Sequence, residues 1–95
     1  MRTSQITKTI NSLGYGNILD LAIDHAKRLV LSKLEQYNNE IKFFERKYKS
    51  DFASFRKKLF LQKKEDFRKE EEANEWEYAI ESFKMYNKKL KELEK

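Results

Sequence analysis

The 95-residue chain contains no cysteine and no proline, and its only glycines are Gly14 and Gly16. Without cysteine there is neither a disulfide nor a thiolate metal site, a composition compatible with a reducing cytosol. Without proline, and with both glycines in one short stretch, nothing from Asn17 onward strongly opposes a helix. No apolar run approaches the ~20 residues of a membrane span, and the polar residues after Met1 build no signal-peptide core. A soluble, cytoplasmic protein without membrane contact is expected. At this length one domain is expected, spanning residues 1–95, and so short a chain buries too little surface to be comfortable without help from staples or neighbours.

Charge is what the sequence has in abundance. Lys and Arg number 21 against 16 Asp and Glu, a formal net charge of +5. The excess is uneven: residues 42–69 hold 11 basic and 4 acidic side chains, whereas residues 70–81 hold six acids and no base. Such blocks predict electrostatically distinct faces, suited to steering an acidic partner or pairing subunits head to tail.

Apolar periodicity predicts an all-α fold. Ile6, Ile10 and Leu13 recur at helical spacing, with Ser4 available as N-cap and Gly14 as a left-handed stop, so a short helix is expected over about 5–13. Asn17 can cap a long helix over 18–48, in which apolar residues from Ile18 to Tyr48 recur every three or four positions. Its face is broad up to Leu31 and narrows to a three-four seam from Leu34 to Tyr48. Ser50 or Asp51 can then cap a short helix over 52–60 carrying Phe52, Phe55, Leu59 and Phe60. Positions 48, 52, 55 and 59 also continue the three-four rhythm, so the pattern admits an unbroken helix as well as a hinge. From Leu61 to Glu72 the rhythm lapses and an irregular region is expected. A final amphipathic helix over 73–94 follows, led by Trp76, with acids in its first turns and lysines nearer its end as the helix dipole favours.

Length carries the main functional expectation. At ~1.5 Å per residue the 18–48 helix is about 45 Å long and the 73–94 helix about 33 Å, so the longer one outreaches its cover. The face of Ile18, Leu19, Ala22, Ile23, Ala26, Leu29, Val30 and Leu34 is therefore the candidate interface for a second copy or another protein. The expected architecture is a helical hairpin or bundle with one long central helix, completed by oligomerisation. Its expected role is protein–protein interaction.

Catalytic chemistry finds little support. His25 with Asp20 and Asp24 falls short of a zinc or di-iron ligand set. The acid run around Glu71 and Glu75 resembles helix capping and solubilisation more than a shielded acid–base pair. The stretch "GYG" at 14–16 is too brief for a phosphate loop. No enzyme activity, cofactor or metal is expected, and His25 is expected to face solvent or an interface.

Nucleic acid is the alternative partner. Arg46, Lys47, Lys49, Arg56, Lys57, Lys58, Lys63 and Lys64 could meet several phosphates. The rings of Phe44, Tyr48, Phe52 and Phe55 share the spacing of the core seam and are expected inside, leaving Phe43 and Phe60 for exposed contact. A helix-turn-helix around Gly14 is disfavoured, because the helix that follows opens with acids where a recognition helix presents groups for nucleic-acid bases and phosphates. Trp76 is expected to anchor the last helix against Tyr37 or Ile41, the alternative being a partner hot spot.

The stretches "IKFFERKYKSDFASFRKKL" and "EDFRKEEEANEWEYAIESFKMYNKKLKEL" together resemble small helical prokaryotic proteins, some of them antitoxin-like components of toxin–antitoxin pairs. The resemblance rests on Phe44, Tyr48, Ser50, Phe52 and Phe55, and on Glu71, Glu72, Glu75 and Trp76, and covers about half the chain. This sequence is more basic after Ser50. The resemblance implies a helical adaptor that masks a partner and has no chemistry of its own.

Overall fold

The computed structural model describes residues 2–95, and among them there are four helices and no strand. Helix α1 spans Thr3–Ser12, α2 Ile18–Tyr48, α3 Phe52–Leu61 and α4 Phe67–Leu93. The fold is all-α, as the periodicity predicts.

Local chemistry explains most boundaries. At the end of α1, Gly14 adopts φ 94°, and its N–H donates to Asn11 O while that of Tyr15 donates to Ile10 O, the paired bonds of a left-handed helix stop. Ser4 is not the N-cap of α1; that position is Arg2, whose own N–H donates to Gln5 Oε1 at 3.4 Å. The side chain of Asn17 caps α2 by accepting from the Asp20 N–H at 2.9 Å. The hinge prevails over the continuous rod. Lys49 turns left-handed at φ 50°, the Ser50 N–H closes back onto Glu45 O, and Asp51 Oδ1 accepts from the Ser54 N–H at 2.7 Å to start α3.

One boundary differs clearly from expectation. Helix α4 begins at Phe67, inside the stretch expected to be irregular, because Asp66 Oδ1 caps it by accepting from the Lys69 N–H at 3.1 Å. Its first turns are rich in Glu, Lys and Arg, which favour helix without needing an apolar face.

Helix α4 runs antiparallel along α2, with Phe44 stacked on Trp76 and Tyr37 stacked on Tyr86. Helix α3 folds against the start of α4, where Arg56 pairs with Glu77 at 3.2 Å. The three helices enclose a small aromatic core: Phe44, Phe55, Ala73 and Trp76, flanked by Ile41, Tyr48, Phe52, Leu59 and Ile80. Trp76 is fully buried at its centre. Helix α1 packs against α2, burying Ile10. The result is a rod of 67 × 27 × 17 Å with a radius of gyration of 20.4 Å, against about 12 Å for a compact chain of this length.

Candidate functional site

Coverage of α2 changes along its length. Running back from the Phe44–Trp76 pair at one residue per residue, the antiparallel register sets Leu93, the last residue of α4, opposite roughly residue 27 of α2. Earlier residues of α2 have only α1 beside them. Tyr37 and Leu19 make the consequence plain: about five helical turns separate them, so they lie on the same side of α2. Tyr37 is buried against Tyr86 of α4, while Leu19 is 66% exposed.

The candidate interface therefore divides. Ile18, Leu19, Ala22 and Leu29 are exposed, and Ile23 and Ala26 are half-buried. Val30 and Leu34, placed by periodicity in the same face, are instead buried within the chain. They lie in the span of α2 that α4 covers, which removes them from any surface offered to a partner. Leu31 is exposed as well, so Ile18, Leu19, Leu29 and Leu31 each present between 52% and 66% of their surface to water. Leaving several large aliphatic side chains in solvent forgoes about 1.5–3 kcal/mol apiece relative to full burial.

At this end the chain is tied together by polar contacts. The Tyr15 hydroxyl donates to Asp24 Oδ2 at 2.6 Å, and Asp24 also pairs with Arg28 at 3.2 Å. Hydrogen bonding to Asp24 is the main cause that raises the Tyr15 phenol above its usual pKa. His25 is exposed on the helix between these groups. Three shallow grooves, the largest about 370 Å³ and lined by Gln36, Tyr37, Glu40, Asn74, Glu75 and Tyr78, lie elsewhere, and none contains His25, Asp20 or Asp24.

No family model, curated protein or solved structure matches this chain. Its surfaces must speak for its function.

The basic region forms a second surface at the opposite end. Arg46, Lys47, Lys49, Arg56, Lys57, Lys58, Lys63 and Lys64 are all exposed. Two of them are engaged within the chain: Lys47 with Glu72, and Arg56 with Glu77. Arg46, Lys49, Lys57, Lys58, Lys63 and Lys64 have no ion-pair partner among the described residues. Phe44 and Phe55 are buried and Tyr48 and Phe52 half-buried, whereas Phe43 and Phe60 are exposed, all as their spacing predicts. Phe60, at 87%, is among the most exposed apolar side chains, and Leu61 and Phe67 stand exposed with it around the α3–α4 turn.

Glu72 is the group that sequence reasoning overlooked. Grouped by composition with the solvated acids, it is only 15% exposed at its side chain. It accepts hydrogen bonds from Lys47 Nζ and the Tyr48 hydroxyl, and Arg68 approaches at 4.0 Å. It thus fastens the last turn of α2 to the early turns of α4. Its place four residues before Trp76 was the available signal, since positions four apart lie on one face of a helix.

Proposed function

We propose that this chain is a non-enzymatic helical protein–protein interaction module whose α1–α2 end is completed by another polypeptide. The observation that carries this reading is the exposed set Ile18, Leu19 and Ala22 on the stretch of α2 beyond the reach of α4, continued by exposed Leu29 on the side of α2 turned away from α4. Apolar surface gathered at one end of a rod with a small core favours association over solvation. In its sharper form the module is the antitoxin-like member of a toxin–antitoxin pair, masking its partner by surface contact. That form is supported by the resemblance of the aromatic-basic and Trp-led stretches.

The test is affinity capture with the wild-type chain and a Leu19→Glu/Leu29→Glu variant, alongside co-expression with the protein encoded next to it. A partner held by the wild-type chain and released by the variant is expected, together with relief of that partner's growth inhibition. Capture of no partner, or equal capture by both chains, overturns the reading.

A second reading, nucleic-acid binding through the 46–69 region, is favoured by one observation: Lys57, Lys58, Lys63 and Lys64 are exposed and unpaired among the described residues, beside the exposed ring of Phe60. Unpaired cations flanking a free aromatic ring suit phosphate contact combined with base stacking. Replacing these four lysines by Glu abolishes such binding while leaving association through α2 intact. Absence of binding by the wild-type chain even at low salt removes this reading.

A further inference from the structure

The antiparallel packing leaves the α3–α4 turn at the outer end of the rod. Tyr48, the last residue of α2, bonds to Glu72, so residues 67–71 of α4 run on past the end of α2, and the 62–66 turn joins them to α3 there. Three large apolar side chains flank that turn in water: Phe60 is 87% exposed, Leu61 68% and Phe67 74%. None of them joins the aromatic core. Residues 57–69 also carry six basic side chains against two acidic ones, and one of the acids, Asp66, is committed to capping α4. Lys57, Lys58, Lys63 and Lys64 have no ion-pair partner among the described residues.

We propose that this tip is a contact site for an anionic lipid surface, with Phe60, Leu61 and Phe67 entering the boundary between headgroups and acyl chains and the lysines around them meeting lipid phosphates. The lack of a spanning helix among the described residues says nothing against such a contact, which lies in the interface without crossing it. Apolar side chains ringed by lysines are the composition that an anionic interface rewards, the first by burial and the second by charge.

Two observations favour a lipid surface over nucleic acid as the polyanion met here. The groove that Phe60 borders is also lined by Glu70 and Glu77, and its only base, Arg56, is already paired with Glu77. A strand stacked on Phe60 would therefore lay phosphates beside carboxylates, where strand-binding grooves are positive. Leu61, for its part, has no π face to offer a base, whereas a bilayer accepts aliphatic and aromatic side chains alike. The groove bordered by Lys58 and Lys69 has no carboxylate in its lining, so a headgroup phosphate entering it meets ammonium groups and no opposing charge.

Charge draws the chain to the surface and the apolar side chains hold it there. Each lysine beside an anionic bilayer strengthens binding about fivefold, and each large apolar side chain inserted about tenfold. The exposed α1–α2 face lies at the other end of the rod, so lipid contact leaves it free. The proposal does not depend on a protein partner there.

The test mixes the full chain with vesicles of phosphatidylcholine and phosphatidylserine, or of phosphatidylcholine alone, and sediments them. Retention by the mixed vesicles only is expected. Phe60→Ser/Phe67→Ser is expected to weaken it by about tenfold or more with helicity unchanged, since both rings are exposed. Replacing Lys57, Lys58, Lys63 and Lys64 by Gln is expected to weaken it by about 100-fold or more. Because the chain has no native cysteine, an environment-sensitive dye on Leu61→Cys reports insertion. Its emission is expected to move to shorter wavelength on the mixed vesicles, while the same dye on Leu13→Cys, exposed near the other end, stays unchanged. No retention by the mixed vesicles at low salt, retention undiminished in the Phe60→Ser/Phe67→Ser chain, or no shift at Leu61→Cys overturns the proposal. Binding to single-stranded RNA that is tighter and excludes the vesicles also overturns it, and assigns the tip to nucleic acid.

Discussion

Trp76 is fully buried, and its indole N–H has no hydrogen-bond acceptor among the described residues. It lies among the rings of Phe44, Tyr48, Phe52 and Phe55, stacked on the first two. Trp76→Ala is expected to destabilise by about 3–5 kcal/mol, read from the midpoint of urea unfolding. Trp76→Phe is expected to cost less than half of that, because deleting an unsatisfied donor recovers part of its desolvation penalty of about 1–3 kcal/mol. Equal losses for the two variants would contradict the unpaired N–H. Lys49 is the one described non-glycine residue with positive φ. Lys49→Gly is expected to stabilise by about 0.5–1 kcal/mol, the left-handed strain relieved exceeding the added backbone entropy; Lys49→Ala gives no such gain in the same unfolding measurement.

At the scale of elements, the start of α3 carries a pH dependence. The Ser54 backbone N–H, and secondarily its hydroxyl, hold the Asp51 carboxyl below the usual carboxylate range. A carboxyl lowered in the folded state stabilises the fold above its unfolded pKa of about 3.9, and that contribution disappears as pH falls through the folded value. The melting temperature is therefore expected to drop in acid more steeply for the wild-type chain than for Asp51→Asn. The hinge and the bounds of α2 were legible because capping residues and apolar rhythm agree there. The start of α4 was not, because Phe67 faces solvent and the first turns have no apolar stripe for periodicity to detect. Asp66 supplied the only local sign. The exposed face was legible from helix lengths, but its extent was overestimated: Val30 and Leu34 look no different in sequence from Leu29, and only the side of α2 against which α4 packs separates them. Helix α1, held by Ile10 and the Tyr15–Asp24 bond of its following loop, is expected to exchange its amide hydrogens faster than any other helix, and Tyr15→Phe to accelerate that exchange further. Slow exchange throughout α1 would show it to be better anchored than these contacts imply.

At the scale of the molecule, the acid run and the basic run partly neutralise each other within the chain, through Lys47–Glu72 and Arg56–Glu77. What remains is a rod with unpaired cations near one end and bare aliphatic surface near the other. Small-angle scattering is expected to give a radius of gyration no smaller than the 20.4 Å of the single chain. A value near the ~12 Å of a compact chain would contradict the elongated fold.

The sole tryptophan sits in the three-helix head, distant from Ile18, so its emission registers that head and little else. Far-ultraviolet ellipticity instead averages over every turn of helix. With no common core binding the two ends, chemical unfolding followed by these two optical signals should trace separate curves, the ellipticity declining first.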